Sequence, residues 1–569
     1  MVAAGGVLGA VAVVWVVVTA LMARSQLQNV QGEIGQLRSA IADGRMGDAR
    51  SLAAQVRGHA HRADQLTSGP AWWAGASVPG AGDPLESIRA LTSAGDRLGR
   101  HAVPALMTVA TNLDPATLRR SGNEINIAAI AASRPALKLA TEQLAAAAAQ
   151  VHASPASTWI STVDRGRSQL LTKLTNLSGT LNSADRAATL MPAMLGVNKP
   201  MRYFVGVQNE AEARGTGGIP GTYAIVVAYH GKVRITQIGS DTEMEKLDVT
   251  TDLGPDFQSL YGSALPMRHF ANSNVSPHFP YAARIWAAMW RQKSGQRIDG
   301  AIALDPTALG YFLKMTGPAH LADGTVVSAS NLSSLTQQQA YVRYHDTTRR
   351  KAYLVGLAKA VETKILGGEG NPLALMQAAS LAANQRRILV WAADPRLEAE
   401  LQKTPMSGII PQTKTAYAGL AVINAAGSKL DYYLNRRVTW QRSCNPHDVT
   451  ARITLRNGAP ASGLPAYVTF RSDSRAKSAK PGDNRLHVQW YASAGSKLLG
   501  LTVEGKPGLV STHQERGHPV YLVDLELPQG VTRTIVLHLH DPTTGTPQIL
   551  RQPLVHPLAM TTSQARCTP

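Results

Sequence analysis

The sequence predicts a multidomain α+β protein: an N-terminal transmembrane helix, a helical stalk or bundle, an α/β layered domain and a C-terminal β-sandwich. Three observations predict it. The chain opens on an uncharged apolar run, keeps helical periodicity through its first third, and then alternates strands with helices until strands alone remain beyond residue 429. A chain of 569 residues exceeds what one core serves, and 44% hydrophobic against 17% charged residues excludes a disordered chain.

The first element is the stretch 2–23, VAAGGVLGAVAVVWVVVTALMA, without a charge. About twenty apolar residues in a helix span about 30 Å of hydrocarbon, so a single-pass anchor is expected. It is expected to be uncleaved, because no basic segment precedes it and helical sequence continues through Arg24. From about 24 to 190 the pattern is helical. Leu27, Val30, Ile34, Leu37 and Ile41 form one stripe, and the helix they start is predicted to run to about Leu66, before the breaker SGPAWWAGASVPGAGDP. Trp72 and Trp73 in that breaker read as a plug for the bundle's turn or as an exposed interface patch. Leu85, Ile88, Leu91 and Leu98 begin a second helix.

The α/β domain is placed at 195–428. Tyr203–Val207, Thr222–Tyr229, Lys232–Ile238, Ala301–Leu304 and Ile388–Trp391 read as strands. Helical patterns fall at about Tyr281–Lys293, Pro306–Met315 and Thr348–Leu366. From 429 to 569 the runs VTWQ, VTARITLRN, AYVTF, LHVQWYA, VYLVDLEL and RTIVLHLH predict a β-sandwich, immunoglobulin-like in its strand spacing.

Lys and Arg number 57 against 38 Asp and Glu, a net charge of +19. Such an excess favours lipid head groups or phosphate-bearing glycopolymers as neighbours. Nucleic acid is excluded by the lack of a Lys/Arg tract, zinc-ligand spacing or an RNP-like strand. The two cysteines, Cys444 and Cys567, are expected to form a disulfide closing the last domain, as suits an oxidising space; two separate buried thiols are the alternative.

Three segments are candidates for chemistry. In VGVQNEAEARGTGGIPGTYAIVV (205–227), Asn209, Glu210, Glu212 and Arg214 accompany glycines that would let backbone N–H groups approach an anion; a tight hairpin with surface charges is the other reading. In GSDTEMEK, Asp241, Glu243 and Glu245 share a face if the strand continues, and could hold Mg²⁺ or act as a base; otherwise they are a solvated edge. In YVRYHDTTRRKAYL, Arg343, His345, Arg349 and Arg350 gather where a helix begins, which suits a phosphate; salt-bridged surface arginines are the alternative. His59, His61, His538 and His540 lack metal-ligand spacing, and no hydrolase nucleophile motif is present.

Four strings carry a family resemblance: NEAEARGTGG (209–218), RIDGAIALDP (297–306), YVRYHD (341–346) and KLDYYL (429–434). With them the chain resembles an actinobacterial family, DUF4012, over essentially its whole length. The α/β part is more distantly similar to LytR-CpsA-Psr proteins, extracytoplasmic phosphotransferases that move glycopolymers from a polyprenyl-pyrophosphate carrier onto the cell wall. That resemblance sets Arg343 with Arg349 or Arg350 at the pattern's Y-V-R…R helix start and Asp241-Thr242 at its D-T, with Arg214 near its first arginine. Ser240 stands in place of the arginine before D-T, Gln208 or Asn209 in place of an early aspartate, and Gly221-Thr222 opens the second strand instead of Arg-Ser-Asp-Thr.

The function expected is that of an extracytoplasmic cell-envelope protein on the bacterial cell membrane, in contact with the lipid bilayer. Its α/β domain would bind a polyprenyl-phosphate lipid or an anionic glycopolymer, with Asn209, Arg214, Arg343, Arg349 and Arg350 gripping phosphate. The alternatives are a structural or sensory ectodomain with envelope protein partners, and a divergent phosphotransferase using Mg²⁺ at Asp241 and Glu243.

Overall fold

Gly44, at φ +72°, stops the first helix. Helix α1 (Val2–Ala42) closes with the Arg45 N–H donating to the Ala40 carbonyl at 2.8 Å, and the chain turns back into α2 (Met46–Thr67). The single helix expected to reach Leu66 is therefore a helical hairpin. The computed structural model describes residues 2–120, 124–245, 247–367, 372–445 and 447–565. The chain forms two compact units, one up to Lys199 together with Tyr229–Lys232, the other Pro200–Ala228 together with Val233 onward.

The first unit continues with α3 (Pro70–Ala76), α4 (Asp83–Arg97), α5 (Val103–Asn112), α6 (Arg134–Ala153) and α7 (Ser161–Met194). Its core sets Leu137, Leu144 and Val151 of α6 against Leu174 and Leu181 of α7, with Ala94, Ala140 and Ala147 letting the helices approach closely.

The expected transmembrane helix is corrected here. Among the described residues no helix is long and apolar enough to cross a membrane. Thr19 and Ala23 are buried, and the fully buried Trp72 of α3 donates from Nε1 to Thr19 Oγ1 at 2.9 Å. The other apolar side chains of this stretch, Val13, Val14, Trp15, Val17, Val18, Leu21 and Met22, are 46–64% exposed.

In the second unit a mixed sheet comprises β1 (Met201–Arg214), β2 (Gly217–Tyr229), β3 (Lys232–Ser240), β4 (Gly300–Leu304) and β5 (Ile388–Ala392), in the order β3-β2-β1-β4-β5. β1 pairs antiparallel with β2 and parallel with β4, and β4 antiparallel with β5. Side chains alternate across it. Phe204, Tyr223, Ile225, Ala301 and Ala303 face one side, where α8 (Phe279–Ser294) supplies Trp286 and Trp290. Gly206 is required there, since a Cβ would sit 2.6 Å from the Trp286 ring. Val205, Val207, Ala224, Val226 and Ile302 face the other side, toward α9 (Pro306–Thr316) and α10 (Thr347–Leu366).

The C-terminal strands are β6 (Tyr417–Asn424), β7 (Leu434–Arg442), β8 (Asp448–Asn457), β9 (Asn484–Ala492), β10 (Lys497–Val503), β11 (Ser511–Glu515), β12 (His518–Leu527), β13 (Thr532–His540), β14 (Gln548–Arg551) and β15 (Ala559–Gln564). They make two sheets, β11-β12-β9-β6-β14 and β10-β13-β8-β7-β15, the latter extended by the pair Lys506–Pro507 on β10. Val438, Trp440, Ile453, Val488, Trp490 and Leu537 fill the space between. AYVTF differs from expectation: Ala466–Thr469 is one helical turn after Pro465, and Phe470 stays 62% exposed. Cys444 is disulfide-bonded, and Cys567 lies outside the described residues.

Candidate functional site

Between the second sheet face and α10 lies a cavity of ≈ 320 Å³, within the size range of small-ligand sites. Its floor is the alternating set Val205, Val207, Val226, Ile235 and Ile302. Its roof is one stripe of α10, where Lys351, Leu354, Val355, Ala358, Glu362 and Ile365 recur at three- and four-residue steps. The walls are apolar along most of their length.

Polar groups collect at one end, for a topological reason. The parallel strands β1 and β4 run out toward Asn209 and Asp305, β3 ends at Ser240, and α10 starts there with Arg350 and Lys351. Ligands of open α/β sheets settle at such strand ends, and the helix N-terminus adds positive potential. Lys351 Nζ lies 2.9 Å from Asp241 Oδ1, 3.1 Å from Ser240 Oγ and 3.2 Å from Thr242 Oγ1. Gln337 also lines the cavity and is buried; its Nε2 donates to Glu210 Oε2 at 2.7 Å, while its Oε1 has no partner. Glu362 marks the other end, about 16 Å along the helix from Lys351. Burial pushes its carboxyl above the ordinary range, opposed by Lys359.

The expected phosphate ligands are dispersed. Asn209 lines the cavity, donating to the Tyr341 hydroxyl at 2.6 Å and accepting from the Ala211 N–H at 3.0 Å. Arg350 also lines it, but its guanidinium donates to Tyr344 and His345 carbonyls and Thr347 Oγ1, and stacks on the Tyr467 ring at 4.0 Å. Arg343 and Arg349 are solvent-exposed. Arg214 is buried, and all three of its nitrogens donate to protein oxygens: the Ala271 and Ala213 carbonyls and Glu212 Oε1.

The expected carboxylate face does not form, because the strand stops at Ser240. Residues 241–243 make a short 3₁₀ turn closed by a capping box, with Ser240 Oγ accepting from the Thr242 N–H and Glu243 Oε1 from the Ser240 N–H at 3.0 Å. Asp241 faces Lys351, and Glu243 faces Lys293 at 3.4 Å and accepts from the Tyr223 hydroxyl. Burial would raise the Glu243 carboxyl, but the Ser240 N–H, the Tyr223 hydroxyl and Lys293 outweigh it and hold it low. A divalent ion would compete with a lysine at each carboxylate. Among the described residues no three His, Cys, Asp or Glu side chains are grouped to hold a metal.

The four strings singled out in the sequence meet one another. Arg387 NH1 bridges Glu210 Oε1 at 2.6 Å and Asp305 Oδ2 at 2.7 Å, all three buried. Lys429 pairs with Glu212, whose other oxygen takes Arg214 at 2.8 Å. The Ala213 N–H donates to Asp431 Oδ2 at 2.7 Å. Burial and Glu210 push the Asp305 carboxyl well up against the pull of Arg387. Burial also penalises Glu212, yet Lys429 and Arg214 outweigh it and keep its carboxyl below the usual range. The glycines of this segment serve close packing: a Cβ on Gly218 would lie 2.1 Å from the Asn209 carbonyl, and one on Gly215 2.2 Å from the Val275 oxygen.

Sequence reasoning passed over Lys351, Gln337 and Glu362. The signal for two of them was present, since Lys351 and Glu362 lie on the same 3.6-residue stripe as Leu354, Val355, Ala358 and Ile365.

Sheet, cavity and covering helix define an α/β layered domain with a ligand-sized apolar chamber. Residues 198–341, which supply β1 to β4 and α9, match the family model described as Protein of unknown function (DUF4012). No curated protein and no solved structure matches the chain.

Proposed function

We propose that the second unit binds an amphiphile, its apolar chain lying between the sheet and α10 and its phosphate-bearing head at the Lys351 end. The observation that carries this is the chamber's polarity: apolar along the strands, with a cation and a helix N-terminus at one end. An arriving phosphate can take Lys351 from Asp241 as a charge-assisted partner, and the orphaned Gln337 Oε1 can accept from a protonated or hydroxyl group. Binding rather than turnover is favoured because Asp241 and Glu243 are already engaged by lysines. The protein then works at the bacterial cell envelope, outside the cytoplasm, on an envelope lipid. The disulfide at Cys444 and the net charge of +19 support that setting.

Calorimetric titration with decyl phosphate and decanol, both below their micelle concentrations, tests the proposal. Lys351→Ala is expected to weaken decyl phosphate at least about tenfold, as loss of a charged hydrogen bond implies, and to leave decanol nearly unchanged. Ala358→Trp, which fills the chamber, is expected to abolish both. Unaltered binding by Ala358→Trp would sink the proposal.

A further inference from the structure

The outward face of the larger sandwich sheet presents a second surface that the cavity does not use. Its strands alternate cleanly: Val438, Ile453, Ile535 and Leu537 point into the core, so the intervening residues point out. Register then fixes the outward rows. Arg452 lies opposite Thr439 on β7 and Val536 on β13; Thr454 lies opposite Arg437 and Thr534; Arg456 lies opposite Asn435 and Thr532. The three arginines 437, 452 and 456 are exposed. Among the described residues, no ion pair joins any of them to a carboxylate.

Arg452 and Arg456 stand about 13 Å apart along one strand, and Arg437 sits between them one strand over. A shallow groove of ≈ 450 Å³ continues the row, bordered by Thr450, Arg452, Thr502, Thr534, His538 and Glu504. Glu504 is the one carboxylate on the groove, and its Oε1 accepts from the Thr534 N–H at 2.5 Å. The remaining outward side chains on these strands are Thr, Gln, Asn and Ser, with Val536, His538 and Ala559, and with Asp448 opposite His540 at the far end of the row from Arg456.

From this placement we propose that the outward sheet face binds an anionic polysaccharide lying across the strands. The arginines meet the regularly spaced charges, and the threonine, serine and amide side chains exchange hydrogen bonds with sugar hydroxyls. Single-stranded nucleic acid fits less well, because its protein sites stack bases on aromatic rings, and the outward positions carry no Phe, Tyr or Trp. The surface is independent of the amphiphile chamber.

The test uses the full chain, with dextran sulfate as the anionic polysaccharide, uncharged dextran as its control and oligothymidylate as the competing polymer. The triple variant Arg437→Gln/Arg452→Gln/Arg456→Gln is compared with Lys314→Gln/Arg396→Gln/Lys477→Gln, which removes the same charge from exposed positions elsewhere. Expected are a loss of at least tenfold for dextran sulfate in the first variant alone, and a log Kd–log salt slope smaller by about one for each arginine–sulfate contact removed. The single change Arg452→Glu is expected to lose affinity too. Equal losses in the two triple variants would reduce the effect to net charge and overturn the proposal. Oligothymidylate binding this face as tightly as dextran sulfate at matched charge would overturn the polysaccharide assignment.

Discussion

Replacing Arg387 by methionine removes the one cation that Glu210 and Asp305 share. In the native protein both carboxylates sit at 2% exposure or less, and Arg387 NH1 reaches each within 2.7 Å. The substitution keeps a side chain of similar length but leaves two like charges buried together. Breaking a buried pair by deleting one partner costs about 3–5 kcal/mol. The Leu554 carbonyl, which accepts from Arg387 NH2 at 2.9 Å, also loses its donor. The sign of the pH dependence follows from the carboxyls. Asp305 already titrates above its ordinary range because of burial and Glu210, and without Arg387 it titrates higher still. A carboxyl raised on folding binds more protons folded than unfolded, so its stability contribution is full below the unfolded pKa and is lost as pH rises through the folded one. Arg387→Met is therefore expected to cost about 4 kcal/mol at pH 7.5 and distinctly less at pH 5. Hydrogen exchange of peptides from 201–214 across a urea series reads the second unit alone. A loss below about 1 kcal/mol, or an equal loss at both pH values, would refute the assignment of these motif residues to a buried charge lock.

Two further outcomes follow from packing. Gly218→Ala is expected to destabilise the second unit by about 3 kcal/mol, because the new Cβ meets backbone atoms of Asn209 at 2.1 Å, whereas Gly221→Ala, with nothing within 4 Å, is expected to be tolerated; paired thermal melts decide it. In the first unit, Trp72→Ala is expected to cost about 3–5 kcal/mol, since Trp72 is fully buried on Thr19. Trp73→Ala, 63% exposed under the Arg89 guanidinium, should cost no more than about 1 kcal/mol, as urea melts will report.

What was legible in the sequence was periodic. Val205, Val207 and Ile302 alternate with Phe204, Gly206 and Ala303, and the α10 stripe repeats at helical spacing, so strands and helices of the α/β layers could be placed. The contact of Trp72 with Thr19 was not legible, because the two residues lie 53 positions apart. The helix break at Gly44 was hidden by a stripe that resumes on the far side. The glycines beside NEAEAR suggested an anion site because they would let backbone N–H groups approach a ligand, whereas in the fold the segment's charged side chains are locked by protein partners. Those partners, Asp305, Arg387, Lys429 and Asp431, lie far along the chain and become visible only in the fold.

The most direct measurement is native mass spectrometry of the purified full chain beside Ala358→Trp. The account predicts a non-covalent amphiphile carried by the native protein, with phosphate in its fragment ions, and its loss from the variant. A native protein that carries no amphiphile and takes up no added decyl phosphate, or a variant that retains the ligand, would contradict it.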